Sequence, residues 1–253
     1  MTHSNNSSGI RTGIIIFTFL AVLSAIEFLL AVFVNVWQLI ALVALMKAVL
    51  VVYYYMHVYR LFEPDESDDH ESYAYKLATN RIGLWLFLLS DFFIFGGLLL
   101  SRFNLLQLTR PELNQLLGLA VSVVLIISSV FAYFGETYMQ MGNRKRFLIC
   151  YSITITLGIL FLIGVVGVEW QIAPFGPGDG VAGAIFYVMT GFHAFHVLTG
   201  VIFLIIVLRN GLRGLYSPEK HWAVEASAVY WHFVDVVWFF FYPALYLIGT
   251  VVQ

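Results

Sequence analysis

The chain has 253 residues, of which 60% are hydrophobic and only 11% charged, with a net charge of −2. An ordinary soluble domain is about 25% charged, so water is excluded as the main solvent; the net charge itself says little about partners, among which no nucleic acid is expected. Cys150 is the one cysteine, which excludes an internal disulfide and a thiolate metal cluster.

The N-terminal stretch, Met1 to Gly13, is rich in Ser and Asn with a single Arg. No small-residue cleavage site follows its first apolar run, so it reads as neither a signal nor a transit peptide. Seven apolar runs follow, at about 13 to 34, 37 to 59, 82 to 103, 115 to 138, 146 to 168, 182 to 208 and 224 to 251. Each meets the roughly 20 residues that a spanning helix needs. They are continuous in Leu, Ile, Val and Phe rather than alternating, which argues against a barrel, and a backbone in hydrocarbon must satisfy its own hydrogen bonds. The expectation is an all-α, polytopic bundle of seven transmembrane helices.

The first run carries Glu27, eight residues before the turn at Asn35, and the second carries Lys47, ten after Trp37. At about 1.5 Å rise per residue the two lie within a turn of the same depth, so an antiparallel hairpin can pair them. The pair reads as a lock between two helices or as a proton relay. After it, Glu63-Pro-Asp-Glu-Ser-Asp-Asp-His-Glu71 is acidic and unable to pack a core, which marks a solvated linker. The expected organisation is a two-helix hairpin over 1–62, a linker over 63–80 and a five-helix bundle over 81–253.

The third run places Asp91 near mid-membrane with no opposite charge beside it in sequence. The sixth carries His193 and His196, three apart and on one helical face. The seventh carries Glu225 and His232 on one stripe, with Asp235 a turn further in. A charge near the bilayer centre costs about 2.5–3.5 kcal/mol on insertion scales, so each such residue raises a functional question. Four readings stand together: a metal or haem site at the His pair, a proton or ion pathway, an accessory subunit that binds lipid or a neighbour, and interhelical hydrogen bonds that fix packing.

Charge asymmetry sets the orientation. Ten Lys and Arg residues (Arg11, Arg60, Lys76, Arg81, Arg144, Lys145, Arg146, Arg209, Arg213, Lys220) fall on one face, against Arg102 and Arg110 on the other. The positive-inside rule puts the N-terminus in the cytoplasm and the C-terminus outside.

The string Glu225-Ala-x-x-x-Tyr-Trp-His-Phe-Val-Asp-Val-Val-Trp238 resembles the final helix of subunit III of haem-copper cytochrome c oxidases. Further pieces follow in that family's order: Gly83-Leu-Trp-Leu-Phe-Leu-Leu-Ser-Asp91, Ser128-Ser129, Thr154-Ile-Thr-Leu-Gly158, Glu169 and Thr190-Gly-Phe-His-x-x-His-Val197. The resemblance covers about Arg81 to the C-terminus. Asp91 stands where the family typically has Glu, one methylene longer. In front, Leu45-Met-Lys-Ala-Val-Leu-Val-Val-Tyr-Tyr-Tyr-Met-His57 together with Glu27 resembles the small subunit IV of prokaryotic oxidases, as if the two were fused.

The resemblance implies a subunit without a redox centre that packs on subunit I, with subunit II in the same complex and haem and copper held by those partners. It implies support of O₂ reduction and proton pumping through lipid binding, proton uptake and complex stability, with cytochrome c or another donor feeding the complex, in a bacterial cytoplasmic membrane. His193, His196, His232 and Ser129 then become interior hydrogen-bonding residues. Asp91, Glu225, Asp235, Glu27 and Lys47 become buried charges of structural or functional weight, and Arg209, Trp231 and Trp238 candidates for phospholipid contact. An accessory subunit of a quinol oxidase or nitric oxide reductase, and a stand-alone proton-coupled transporter, are the alternatives.

Overall fold

The structure, a computed structural model, describes residues 6–34, 36–62 and 73–251. Its helices are α1 (Asn6–Phe33), α2 (Trp37–Leu50), α3 (Tyr73–Leu106), α4 (Gln115–Gln140), α5 (Arg144–Leu162), α6 (Gly180–Leu212) and α7 (Trp222–Tyr242). With α2 continued through a π turn to Tyr55, they form seven spans long and apolar enough to cross a bilayer, and the chain is an all-α, multi-pass membrane protein. The acidic string Glu63 to Glu71 and the turn residue Asn35 lie outside the described residues.

Local chemistry sets several helix ends. Asn114 accepts from the backbone N–H groups of Leu116 and Leu117, both at 3.1 Å, and Asn143 accepts from that of Arg146 at 3.2 Å, so each caps the helix that follows. Three spans finish in wider π turns, Val51–Tyr55, Ile163–Glu169 and Pro243–Leu247. In the last, Pro243 brings no backbone N–H to continue the α-helical ladder.

Several limits differ from the sequence expectation, mostly by about four residues, as where the first span begins at Gly9 and the seventh ends at Leu247. The second span ends at Tyr55, short of 59, and α3 begins at Tyr73, nine residues earlier than 82. The stretch from Tyr73 to Arg81 holds no Pro or Gly to stop a helix, so the last part of the expected linker is the first two turns of α3.

The core is built around α7. Its most apolar stretch is 94% buried, against 17% for the third span and 22% for the first. It packs against α2, α3, α4 and α6, while α5 seats between α4 and α6 and α1 lies along α2 and α4. The leading hairpin therefore shares one core with the other five helices. Tyr55 donates from its hydroxyl to the Gly13 carbonyl at 3.0 Å and stacks on Tyr133 with ring centroids 4.7 Å apart.

Helices in lipid gain little from apolar burial against one another, so small residues that admit a neighbour's ring carry the packing. Gly158 of α5 is such a seat, where an added Cβ would stand 2.5 Å from the Trp231 ring. Trp231 cannot yield easily, since its indole N–H donates to Ser128 Oγ at 3.0 Å.

The connections at the end away from the basic loops are closed by Arg102, which the sequence reading counted only as a charge on that face. It is fully buried near the end of α3. Its guanidinium donates to the carbonyls of Ala244 at 2.6 Å, Gln107 at 2.7 Å, Thr109 at 2.8 Å and Ile248 at 3.0 Å. Beside it a short parallel pair joins β1 (Thr109–Arg110) to β2 (Thr250–Val251). Gly249, at φ 108°, comes so close to the Leu108 carbonyl that a side chain there would clash.

Gly158→Ala should lower the thermal midpoint of the detergent-purified protein, with a loss of about 1–3 kcal/mol from overpacking. Gly167→Ala is the control, because a Cβ there meets only an ordinary contact at 3.5 Å to Ile163.

Candidate functional site

Three groups of interior charges stand apart from Arg102, Glu169 and Asp235. In the leading hairpin, Lys47 Nζ lies 2.5 Å from Glu27 Oε2, with both residues buried. The ammonium also stands 4.9 Å from the centre of the Phe239 ring, so α7 contributes to holding it. Glu27 Oε1 and the Tyr242 hydroxyl have no hydrogen-bond partner among the described residues. Both residues line a small cavity that also meets Ser24, Ser122 and Trp238.

Asp91 is buried halfway along α3, and its Oδ2 faces His196 Nε2 of α6 at 3.6 Å. The side chain that faces the carboxyl thus comes from a distant helix. His196 Nδ1 sits 2.9 Å from the Phe192 carbonyl, an acceptor, so that nitrogen carries a hydrogen. Nε2 then offers a lone pair to the carboxylate unless a proton sits on it or on Asp91. The two groups attract only as a pair that holds one extra proton.

The third group lies at the end facing the basic loops. Glu225 accepts from Arg81 Nε at 2.9 Å and Nη2 at 3.2 Å, the bidentate form that suits a guanidinium. Arg60 Nη1 reaches Glu136 Oε1 at 3.1 Å and Glu225 Oε1 at 3.4 Å, and Gln140 donates to Glu136 at 2.9 Å. Burial works against the Arg60 charge, but Glu136 and Glu225 outweigh it and hold the guanidinium above its ordinary value. His57, just beyond the second span, is pushed down to about 3 by burial and then by Arg60, and is a neutral ring at neutral pH. Of this cluster the sequence reading singled out only Glu225. Glu136 follows Ser129 by seven residues on α4, and that shared stripe is the signal that would have found it.

The remaining candidates line the middle of α7 and α6. His232 Nδ1 is 2.5 Å from Ser129 Oγ. His193 does not match the hydrogen-bonding expectation, since neither ring nitrogen has a partner among the described residues. It is held by rings instead, with Trp238 at 4.9 Å and Phe161 at 5.6 Å. Trp231 and Trp238, candidates for lipid contact, are fully enclosed, and the Trp238 N–H donates to Ser122 Oγ at 2.8 Å. Large aromatics inside a core with satisfied N–H groups serve packing. Arg209 is exposed in the last turn of α6, where a cation also suits the helix terminus. Among the described residues no three His, Cys, Asp or Glu side chains converge as a metal site would need.

The family Cytochrome c oxidase subunit III matches residues 11–250. The chain belongs to that family. The match takes the two leading helices in with the other five, and nothing in it separates a subunit IV portion. Cytochrome c oxidase subunit 3 of Rhinoceros unicornis is 36% identical over 183 residues, covering 67% of this chain and 70% of that protein. Its counterparts in Gadus morhua and Bos taurus are 35% and 36% identical over the same length and the same shares. As a subunit III the chain is part of a haem-copper oxidase, an oxidoreductase complex.

Lys47→Met should strip Glu27 of its counter-charge and destabilise the subunit by about 3–5 kcal/mol, the cost of breaking a buried pair. Glu27→Leu added to Lys47→Met should recover most of that loss, read as the thermal midpoint of the purified complex.

Proposed function

We propose that the chain is the supporting, redox-free subunit of an aerobic terminal oxidase, packed on subunit I with subunit II in the same complex, while haem and copper reside in those partners. It sustains O₂ reduction and proton pumping by holding phospholipid and by keeping proton uptake toward the main subunit supplied. Cytochrome c is the electron donor to the complex, in keeping with the printed name of the relatives. The ten-to-two split of Lys and Arg supports a cytoplasmic N-terminus and an outer C-terminus, and the resemblance of the leading hairpin to subunit IV supports a bacterial cytoplasmic membrane.

The observation that carries this reading is Asp91. Its carboxyl is buried at mid-span against a histidine on α6, on a helix whose other faces are open to the surroundings. Next to it, Phe92, Phe95, Gly96, Leu99, Val236 and Phe240 line an apolar furrow between α3 and α7 that suits an acyl chain. Exposed Arg209 supplies a fork that suits a phosphate headgroup. A buried carboxyl beside a furrow that takes lipid serves a neighbouring subunit's turnover without taking part in the chemistry.

Asp91→Ala should leave the optical spectrum of the haems in the purified complex unchanged but reduce the number of turnovers before inactivation. Asp91→Glu, which restores the family's usual carboxylate, should preserve that number. An Asp91→Ala complex with an unaltered lifetime would remove Asp91 from the functional residues.

A further inference from the structure

A buried ion pair is favourable only when the lone pairs and hydrogens left over from the pairing are satisfied as well. The Glu27–Lys47 pair leaves one such group open. Lys47 Nζ reaches Glu27 Oε2 at 2.5 Å, while Oε1 of the same fully buried carboxyl has no partner among the described residues. The hydroxyl of Tyr242, a buried residue of α7, has none either. Both side chains border one cavity of about 10 Å³ between α1, α2, α4 and α7. That volume is the least that admits a single water molecule, and cavities that stay dry are lined by apolar groups. This one is bordered by Ser24, Lys47, Ser122 and Trp238 in addition. The two serines have no hydrogen to give the carboxylate, since Ser24 Oγ donates to the Leu20 carbonyl at 2.9 Å and Ser122 Oγ to the Gly118 carbonyl at 2.6 Å. Ser122 Oγ also accepts from the Trp238 N–H at 2.8 Å, so its polarity is used up. Ser24 Oγ keeps a lone pair free.

We propose that this cavity is a binding site for one water molecule, which completes the ion pair and ties it to α7. The water donates one hydrogen to Glu27 Oε1 and the other to the free lone pair of Ser24 Oγ, and it accepts the hydrogen of the Tyr242 hydroxyl. It then has three partners, the usual number for a buried water, and both groups that the protein leaves open are satisfied. Lys47 is held toward the same helix by the Phe239 ring, 4.9 Å from Nζ. The two charges of the leading hairpin therefore each find a contact on α7, one through an aromatic face and one through the water. With its second oxygen hydrogen-bonded, Glu27 stays ionised against Lys47, and the pair acts as a lock between the hairpin and α7, not as a proton relay.

A cryo-electron microscopy map of the purified oxidase complex, at a resolution that shows ordered water, should carry one density peak within hydrogen-bond distance of both Glu27 Oε1 and the Tyr242 hydroxyl oxygen. Tyr242→Phe keeps the ring and should weaken or remove that peak. It should also lower the thermal midpoint of the complex by about 2–4 °C, the shift expected in a chain of this size when one buried polar group loses its partner. Made on the Glu27→Leu, Lys47→Met background, the same substitution should not lower the midpoint, because no charge remains there to complete. A cavity without density, with the Tyr242 hydroxyl turned directly onto Glu27, would overturn the proposal. So would an equal loss from Tyr242→Phe in both backgrounds, which would separate the hydroxyl from the ion pair. Neither readout involves turnover, so the outcome is independent of whether the subunit supports its partners' chemistry.

Discussion

A charge in hydrocarbon has to find its counterpart inside the protein, because no solvent is there to supply one. In this chain α7 concentrates that demand, carrying Glu225, His232 and Asp235 along one helix. The arrangement of the other helices answers it. α3 brings Arg81 to Glu225, and α4 brings Ser129 to His232. With α2 and α6 completing the ring, α7 has almost no surface left for lipid. The bundle is arranged around its most polar helix, the reverse of a water-soluble core.

The same demand explains where packing is tight. A helix enclosed on all sides must fit its neighbours without help from apolar burial, and the Trp231 ring seated against Gly158 shows how closely they approach. Where two spans depart from the α-helical pattern, their side chains meet. Tyr246, in the π turn after Pro243, donates to Glu169, which closes the π turn of α5, at 2.6 Å. Two irregular helix ends are thus tied to each other by side chains at the end of the bundle that holds Arg102.

The spans and the Glu27–Lys47 pair were legible in the sequence because both follow from short-range arithmetic, namely run length and depth on either side of one turn. Partners that meet from far apart in the chain were not. Arg81 and Glu225 are 144 residues apart, and only the packing of α3 on α7 brings them together. Asp91 was recognised as a buried carboxyl, but its histidine partner required knowing that α6 lies alongside. Trp231 and Trp238 were misjudged because composition does not say which face of a membrane helix meets protein and which meets lipid. The family motifs identified the helix that matters without revealing what encloses it.

Arg102 has a bearing on biogenesis. Its guanidinium belongs to the third helix, yet two of the four carbonyls it needs belong to Ala244 and Ile248, at the far end of the seventh. During synthesis that cation must wait, half satisfied, while some 140 further residues emerge. The last helix to be inserted is therefore the one that completes the hydrogen bonding of a cation made early, and a product that stops before Ala244 would leave Arg102 with only the two carbonyls of its own connection, Gln107 and Thr109.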